Sequence, residues 1–410
     1  MKNYYKALYS IAVDYESFPK KVVTRFVSKF RQNTNMAILN QLIENHKYSD
    51  AVKYMDEKNI KEIGEYKRIY AYCIQADGWD GASSEMLTYL ENSFSVTADE
   101  ICDYLSKSII CRREYIEYRY LGGLGNLGFF LIHDDIGEPT YIVKVLDASQ
   151  KNNEVLFYRY VLNGMNEIKS YIPKCEGIFE YKDKLILLCT KYVKPCKVDS
   201  TCDLSAIEVV RLMGEISSKS ANQLFKKYNI KVYEGNSEIS NLHRTITIHM
   251  MLEKELSILK RRSGSEELIR CLDEIGTLLL NNKLYKKIQP DVHYVFCHND
   301  FHRKNMFKNE TEQITVFDWN NYRIGLYGWD LVYYWGNFET PYCEIQRKFI
   351  ERQDCIFKNK SEMIVWQLLF DFCLVYVWVD RLHGNSSEIY MKEYFLPAIN
   401  DMKQMISKLA

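Results

Sequence analysis

Apolar positions divide the chain into three textures. From residue 1 to about 105 they recur at helical spacing, as in Ala37-Ile38-Leu39, Leu42-Ile43, Ala51-Val52, Met86-Leu87 and Tyr89-Leu90. Asp77-Gly78-Trp79-Asp80-Gly81 interrupts this pattern as a turn cluster. The stretches NHKYSDAVKYM and DGWDGASSEML lie about 31 residues apart, near the period of about 34 of tetratricopeptide-type repeats. They read either as two helix-turn-helix units or as parts of a plain helical bundle.

Near residue 112 the period shortens. Tyr115, Ile116, Tyr118 and Tyr120 alternate with charged residues as in a half-exposed strand. A glycine-rich turn at 121–128 leads to a second strand, Phe129 to Ile132, and the Gly137-Glu138-Pro139 turn to a third, Tyr141 to Leu146. Residues 152–165 predict a helix, and 177–180 and 185–188 two further short strands. Several strands and one helix in so short a span indicate a small α+β lobe.

From about 200 the texture is helical again, in EVVRLMGEISSKSANQLF and TITIHMMLEKELSILKRR for example. The break is at 294–318, where YVFCHNDFHRKNMF and QITVFDW form short apolar runs around polar residues. The longest apolar run, Met363 to Val379, contains Gln367 and Asp371. It falls short of the roughly 20 apolar residues of a membrane span, and so predicts a buried helix.

Composition narrows the classes. The 410 residues carry 54 basic and 54 acidic side chains, which argues against chain-wide attraction to nucleic acid or to an anionic membrane. Hydrophobic residues at 47% and charged residues at 26% describe a folded protein rather than a disordered one. The 12 cysteines stand singly in mostly apolar surroundings without a CxxC pair, as expected of buried reduced thiols in a cytoplasmic protein.

The candidate chemistry lies in three places. Gly123, Gly125 and Gly128 spell GxGxxG. The segment after Gly128 reads as a strand rather than a helix, so the motif fits either a strand-turn-strand flap over phosphates or a structural hairpin. Lys144 lies 16 residues beyond Gly128 in the mainly apolar strand Ile142-Val143-Lys144-Val145, where a buried ammonium calls for an anionic partner. Glu154 in the next predicted helix is the natural one, with Asp147 also near. The strongest signal is His298-Asn299-Asp300-Phe301-His302-Arg303-Lys304-Asn305, followed 13 residues later by Asp318. Asp300 can accept the proton of an attacking hydroxyl, and Asn305 and Asp318 supply hard oxygen ligands for Mg2+ bound to a nucleotide.

His298-Asn299-Asp300 through Asn305, then Phe317-Asp318-Trp319, resembles the catalytic and metal motifs of the aminoglycoside phosphotransferase and choline kinase superfamily, H-x-D-x-x-x-x-N followed by I-D-W/F. The resemblance covers roughly 112–400. It implies an α+β, two-lobed protein-kinase-like fold, with 106–193 a β-rich lobe and 194–410 a mainly helical lobe, preceded by the helical extension that apolar spacing predicts over 1–105. It implies Asp300 as the catalytic base, Asn305 and Asp318 as metal ligands, and ATP and Mg2+ as cofactors. Gly123, Gly125, Gly128, Lys144 and Glu154 would serve the nucleotide, with Cys189 and Lys191 in the hinge-like segment 187–192 that holds the adenine. Asp330, in Tyr327-Gly328-Trp329-Asp330-Leu331, is by resemblance a structural brace.

The chain departs from the family in carrying Asn320-Asn321 where many members have a glutamate just after the Asp-Trp pair. None of the required chemical groups is missing. The expected activity is transfer of the ATP γ-phosphate to a hydroxyl of a small molecule. Aromatic and acidic residues from Asp330 to Asp380 suit a cationic acceptor (choline, ethanolamine or an aminocyclitol), and a sugar is the other candidate. Neither a nucleic acid nor a membrane is expected as partner, whereas 1–105 could bind a protein. The alternatives are a protein kinase, against which Trp319-Asn320 replaces Phe-Gly and no Ala-Pro-Glu segment follows, and a non-catalytic kinase-like scaffold.

Overall fold

In the computed structural model the residues described are 34–43, 45, 47–61, 65–77, 81–120, 126–230, 270, 273–274, 277, 294–334, 348, 363–368, 370–371 and 391–409. The chain forms two compact units, residues 1–149 with 179–187, and residues 150–178 with 188–410. Together they give the α+β architecture expected, with a five-stranded sheet and many helices.

The first unit begins with helical residues 34–43, then α1 (Tyr48–Glu57), α2 (Glu65–Ala76), α3 (Ala82–Phe94) and α4 (Ala98–Ile109). Each buries one stripe: Ala51 and Met55, then Ile69 and Cys73, Met86 and Leu90, Ile101 and Leu105. Helix α4 starts in a capping box, with Glu100 N donating to Thr97 Oγ1 at 3.2 Å and Thr97 N to Glu100 Oε2 at 3.0 Å. It ends at Ile110 in the left-handed region, φ 56°.

Strands β1 (Ile116–Arg119), β2 (Phe129–His133) and β3 (Pro139–Asp147) form an antiparallel meander. The sheet is completed by β4 (Cys175–Tyr181) and β5 (Leu185–Lys191), in the order β1-β2-β3-β5-β4. The first strand is shorter than its sequence pattern, because Arg113–Tyr115 close a 3-10 turn. That turn lets Arg113 reach Asp99 at 2.6 Å and Asp103 at 2.5 Å on α4. Helix α4 also meets the turn after β4, where Lys182 pairs with Glu100 at 2.8 Å and the Tyr104 and Tyr181 rings lie 4.9 Å apart. Lys184 Nζ donates to the Phe94 carbonyl at the end of α3, at 2.7 Å. Within this unit α4 is therefore fastened both to the turn before β1 and to the turn after β4.

In the second unit the helix expected over 152–165 is a composite. An α turn, α5 (Asn153–Leu156), passes into a π turn at Phe157–Val161 and a 3-10 turn at Leu162–Gly164. At the π turn Phe157 stacks flat on Trp319, with centroids 4.2 Å apart and planes 2° from parallel. The segment EVVRLMGEISSKSANQLF is two helices, α6 (Asp203–Gly214) and α7 (Ser218–Lys227). The break has a physical cause. Ile216 gives its carbonyl to Phe296 N at 3.0 Å, and Ser217 caps α7 by accepting from Ser220 N.

Strand β6 (Tyr294–Cys297) pairs antiparallel with β9 (Arg323–Leu326), and β7 (Met306–Lys308) with β8 (Ile314–Val316). A short helix α8 (Trp329–Tyr334) follows β9, and α9 (Leu396–Leu409) ends the described chain. TITIHMMLEKELSILKRR lies outside the described residues. No described helix is long and apolar enough to cross a membrane, and the described cysteines are free thiols.

Candidate active site

The loop between β6 and β7 is suspended from a buried carboxylate. Asp330, 1% exposed at the start of α8, accepts His298 N at 2.8 Å on one oxygen and Asn299 N at 2.7 Å on the other. Burial pushes its carboxyl up to about 7, against the pull of those two N–H donors and of Arg323. The brace role implied for Asp330 therefore has a direct structural form. Trp329 adds a side-chain tie, donating from Nε1 to Asn299 Oδ1 at 3.0 Å. Asn299 itself sits at φ 64°, a left-handed state that asparagine tolerates.

His298 is fully buried and orients the turn. Its Nδ1 accepts Asp300 N at 3.2 Å, so the proton resides on Nε2, which donates to the Phe317 carbonyl at 2.8 Å. Burial holds its pKa below the ordinary histidine value. The imidazole is a neutral strut joining the Asp300 turn to the Asp318 turn.

Asp300 and Asn305 meet directly. Asn305 Nδ2 donates to the Asp300 carbonyl at 2.9 Å and to Asp300 Oδ2 at 3.1 Å. With the NH2 turned towards Asp300, the amide oxygen of Asn305 faces away from it. Asn321 Nδ2 lies 3.5 Å from the same Oδ2. The other oxygen, Oδ1, has His302 Nε2 at 3.4 Å, and the His302 ring stands edge-on to Tyr333 at 5.0 Å. Asp300 Oδ2 is thus held by amide donors, while Oδ1 lies on the side of a half-buried imidazole.

The Asp318 turn is tied to this loop through Phe317 N, which donates to the Asn305 carbonyl at 2.9 Å. Asp318 sits at φ 58° and receives Asn320 Nδ2 on Oδ1 at 2.9 Å. Trp319 is fully buried, with its Nε1 donating to the Val316 carbonyl at 3.1 Å.

Sequence reasoning passed over the support beneath the loop. Asp203, 1% exposed at the head of α6, accepts from Arg303 at 3.3 Å and from Tyr334 at 3.2 Å, and the Arg303 guanidinium lies 4.7 Å from the Tyr334 ring centroid. No local pattern marks Asp203, because its partners are 100 and 131 residues away. Lys308 pairs with Asp199 at 2.7 Å and holds that carboxyl well below its usual range. A cavity of about 620 Å³ opens beside the loop, with Pro195, Lys197, Val198, Lys304, Met306 and Phe307 among its lining residues.

The remaining candidates divide between the two units. Glu154 is 6% exposed in the first turn of α5, and its peptide N–H donates to Asn320 Oδ1 at 3.2 Å. Lys144 is half-buried on β3, opposite Phe129 of β2, and belongs to the first unit, whereas Glu154 belongs to the second. Cys189 is fully buried in β5, so its side chain faces the interior, while the Lys191 side chain is exposed.

Gly123 and Gly125 lie outside the described residues. Gly128 has φ 107°, and a Cβ there would stand 2.2 Å from the Tyr118 hydroxyl, so this glycine answers a steric requirement. Of the aromatic and acidic residues considered for an acceptor pocket, Trp335, Tyr376, Trp378 and Asp380 lie outside the described residues. Trp366 and Asp371 are core residues, 1% and 0% exposed. Among the described residues no group of three or more His, Cys, Asp and Glu side chains forms a metal cluster. A magnesium site of one carboxylate and one amide oxygen completed by phosphates does not need one.

Residues 252–363 match the model of the phosphotransferase enzyme family, APH. The motifs from His298 to Trp319 fall inside that span, in agreement with the resemblance drawn from them. No curated protein matches the chain. Several solved structures are similar to it at low identity. An aminoglycoside phosphotransferase from Alicyclobacillus acidocaldarius is 10% identical over 72% of this chain and 92% of that one, with a TM-score of 0.44. A spectinomycin phosphotransferase in complex with ADP and spectinomycin is 14% identical over 76% and 97%, with a TM-score of 0.42. A choline/ethanolamine kinase family protein from Mesorhizobium loti is 11% identical over 76% and 98%, with a TM-score of 0.41.

Proposed function

We propose that this chain is a small-molecule kinase, transferring the γ-phosphoryl group of ATP to a substrate hydroxyl. The observation that carries the reading is the single hydrogen-bonded loop system in which Asn305 clasps Asp300 and the Asp318 turn is tied back to Asn305. The match of 252–363 to a phosphotransferase family supports it. Asp300 is the base. Its carboxylate receives the proton of the acceptor hydroxyl as the oxygen–phosphorus bond forms and the bond to the ADP oxygen breaks.

Asn305 and Asp318 are the residues that would hold Mg2+. The donor set fits, because the Asn305 amide oxygen is turned away from Asp300 and the two ligands are hard oxygens. Bound there, Mg2+ neutralises charge on the transferring phosphates. Lys144, Glu154 and the glycine-rich turn at 123–128 serve the nucleotide phosphates in this reading. The backbone at Cys189 and Lys191 serves the base, and the cavity beside Lys304 has a volume suited to such a ligand.

The acceptor is a hydroxyl compound that approaches the Oδ1 side of Asp300. The Asp300 carboxylate and the Tyr333 ring beyond His302 favour a cationic one, such as choline, ethanolamine or an aminocyclitol, over a plain sugar. The test is a coupled ADP-release assay with Mg-ATP against amino alcohols, aminoglycosides, sugars and a generic protein substrate. Turnover on a small hydroxyl compound that is lost in Asp300→Ala supports the reading. No turnover together with no magnesium-dependent nucleotide binding overturns it.

A further inference from the structure

Asn320 uses its side chain at both ends. Nδ2 donates to Asp318 Oδ1 at 2.9 Å, while Oδ1 accepts the peptide N–H of Glu154 at 3.2 Å. Its peptide oxygen accepts Asn153 Nδ2 at 3.0 Å. The first turn of α5 is thereby fastened to the Asp318 carboxylate by partners 166 and 167 residues apart in the chain. A carboxamide can donate to a carboxylate through its NH2 and accept from a peptide N–H through its oxygen at once; an aspartate only accepts, and a leucine does neither. The glutamate that many similar kinases carry here could not make the donation either. Asp318 stands at φ 58°, a backbone state that its surroundings must maintain.

We propose that Asn320 is a positioning residue. It fixes the orientation of the Asp318 carboxylate against the start of α5 and so sets the affinity for the divalent cation that accompanies the nucleotide. The proposal rests on the kinase reading above. A neutral donor on one carboxylate oxygen restrains the group without cancelling its charge.

The test follows Mn2+ binding by the paramagnetic resonance of the free ion, on full-length protein saturated with a non-hydrolysable ATP analogue, and so needs no turnover. Asn320→Leu is expected to weaken Mn2+ binding roughly tenfold, the scale seen when the partner orienting a metal ligand is lost. Its affinity for the nucleotide without metal should stay unchanged. Asn320→Ser, the milder variant should the leucine form fail to fold, should shift Mn2+ binding in the same direction by less. Asn153→Ala loosens the same junction but leaves the donor to Asp318 in place, and should bind Mn2+ as the wild type does.

Wild-type Mn2+ affinity in the folded Asn320 variants overturns the proposal. So does an Asn153→Ala variant weakened as much as the Asn320 variants, since the effect would then come from the loosened helix start. A wild-type protein that binds neither nucleotide nor Mn2+ instead overturns the kinase reading, and this proposal with it.

Discussion

The turn at 126–128 and the loop at 298–321 both hold a glycine or polar residue in an unusual backbone state, but for different reasons. Around Gly128 the constraint is space. The Tyr118 ring occupies the place of a Cβ, its hydroxyl donates to the Leu127 carbonyl at 2.9 Å, and Leu127 and Gly128 join the β3 ladder through Val145. Around Asp300 the constraint is polar: Asp330, His298, Asn305 and Asn320 each satisfy a named donor or acceptor. A steric constraint can be met by any chain that leaves room. A polar one specifies the atoms that must be present, which is why the second region carries a chemical signature and the first carries mainly a shape.

The sharpest way to separate the two is to remove the reacting group. Asp300→Asn keeps the size of the side chain but cannot take a proton, and is expected to lower turnover by at least about 10²-fold, with little change in the unfolding midpoint. If turnover is preserved, the polar loop is scaffolding only. Next comes the brace. Asp330→Ala leaves the peptide N–H groups of His298 and Asn299 buried without their acceptor, and should cost about 3 kcal/mol in chemical denaturation. A cost well under 1 kcal/mol would mean that the loop is held elsewhere. On the steric side, Gly128→Ala forces a side chain into φ 107° against Tyr118, and should cost about 2 kcal/mol.

The smallest expected effect is the response of the polar loop to acid. His298 is buried neutral, its pKa below the ordinary 6.5. The unfolded chain therefore binds more protons than the folded one below that value, and stability contributed by this group is lost as pH falls through 6.5. A folded His298→Gln variant should lose less stability, or gain more, than the wild type as the pH falls from 7 to 5. An identical slope in both proteins would remove His298 from the account.

What could be read from the sequence obeys the same division. The strands at 129–132 and 141–146 were legible from apolar alternation, and the structure extends each by a residue or more at its ends. Asp300, Asn305 and Asp318 were legible because the whole constellation is compressed into 21 residues, 298–318. The break at Gly214–Ser218 was not legible, because it is imposed by the carbonyl of Ile216 bonding to Phe296. Nor was the π turn at Phe157, which accompanies a ring stack on Trp319. Asp203 and Asn320 were invisible for a related reason. An aspartate in the first turn of a helix and an asparagine in a turn are ordinary in sequence, and only contacts more than 100 residues apart in the chain single them out.

The junction between α4 and the turn after β4 has a practical bearing on how this protein can be cut. Trimming the chain to the portion that resembles a kinase, from about residue 112, would strip Tyr104 from Tyr181 and leave Lys182 and Lys184 without Glu100 and the Phe94 carbonyl. The shortened product would present a fresh aromatic surface to its neighbours and invite self-association during expression. A fragment intended to stay dispersed should retain at least Phe94, the Thr97 cap and all of α4.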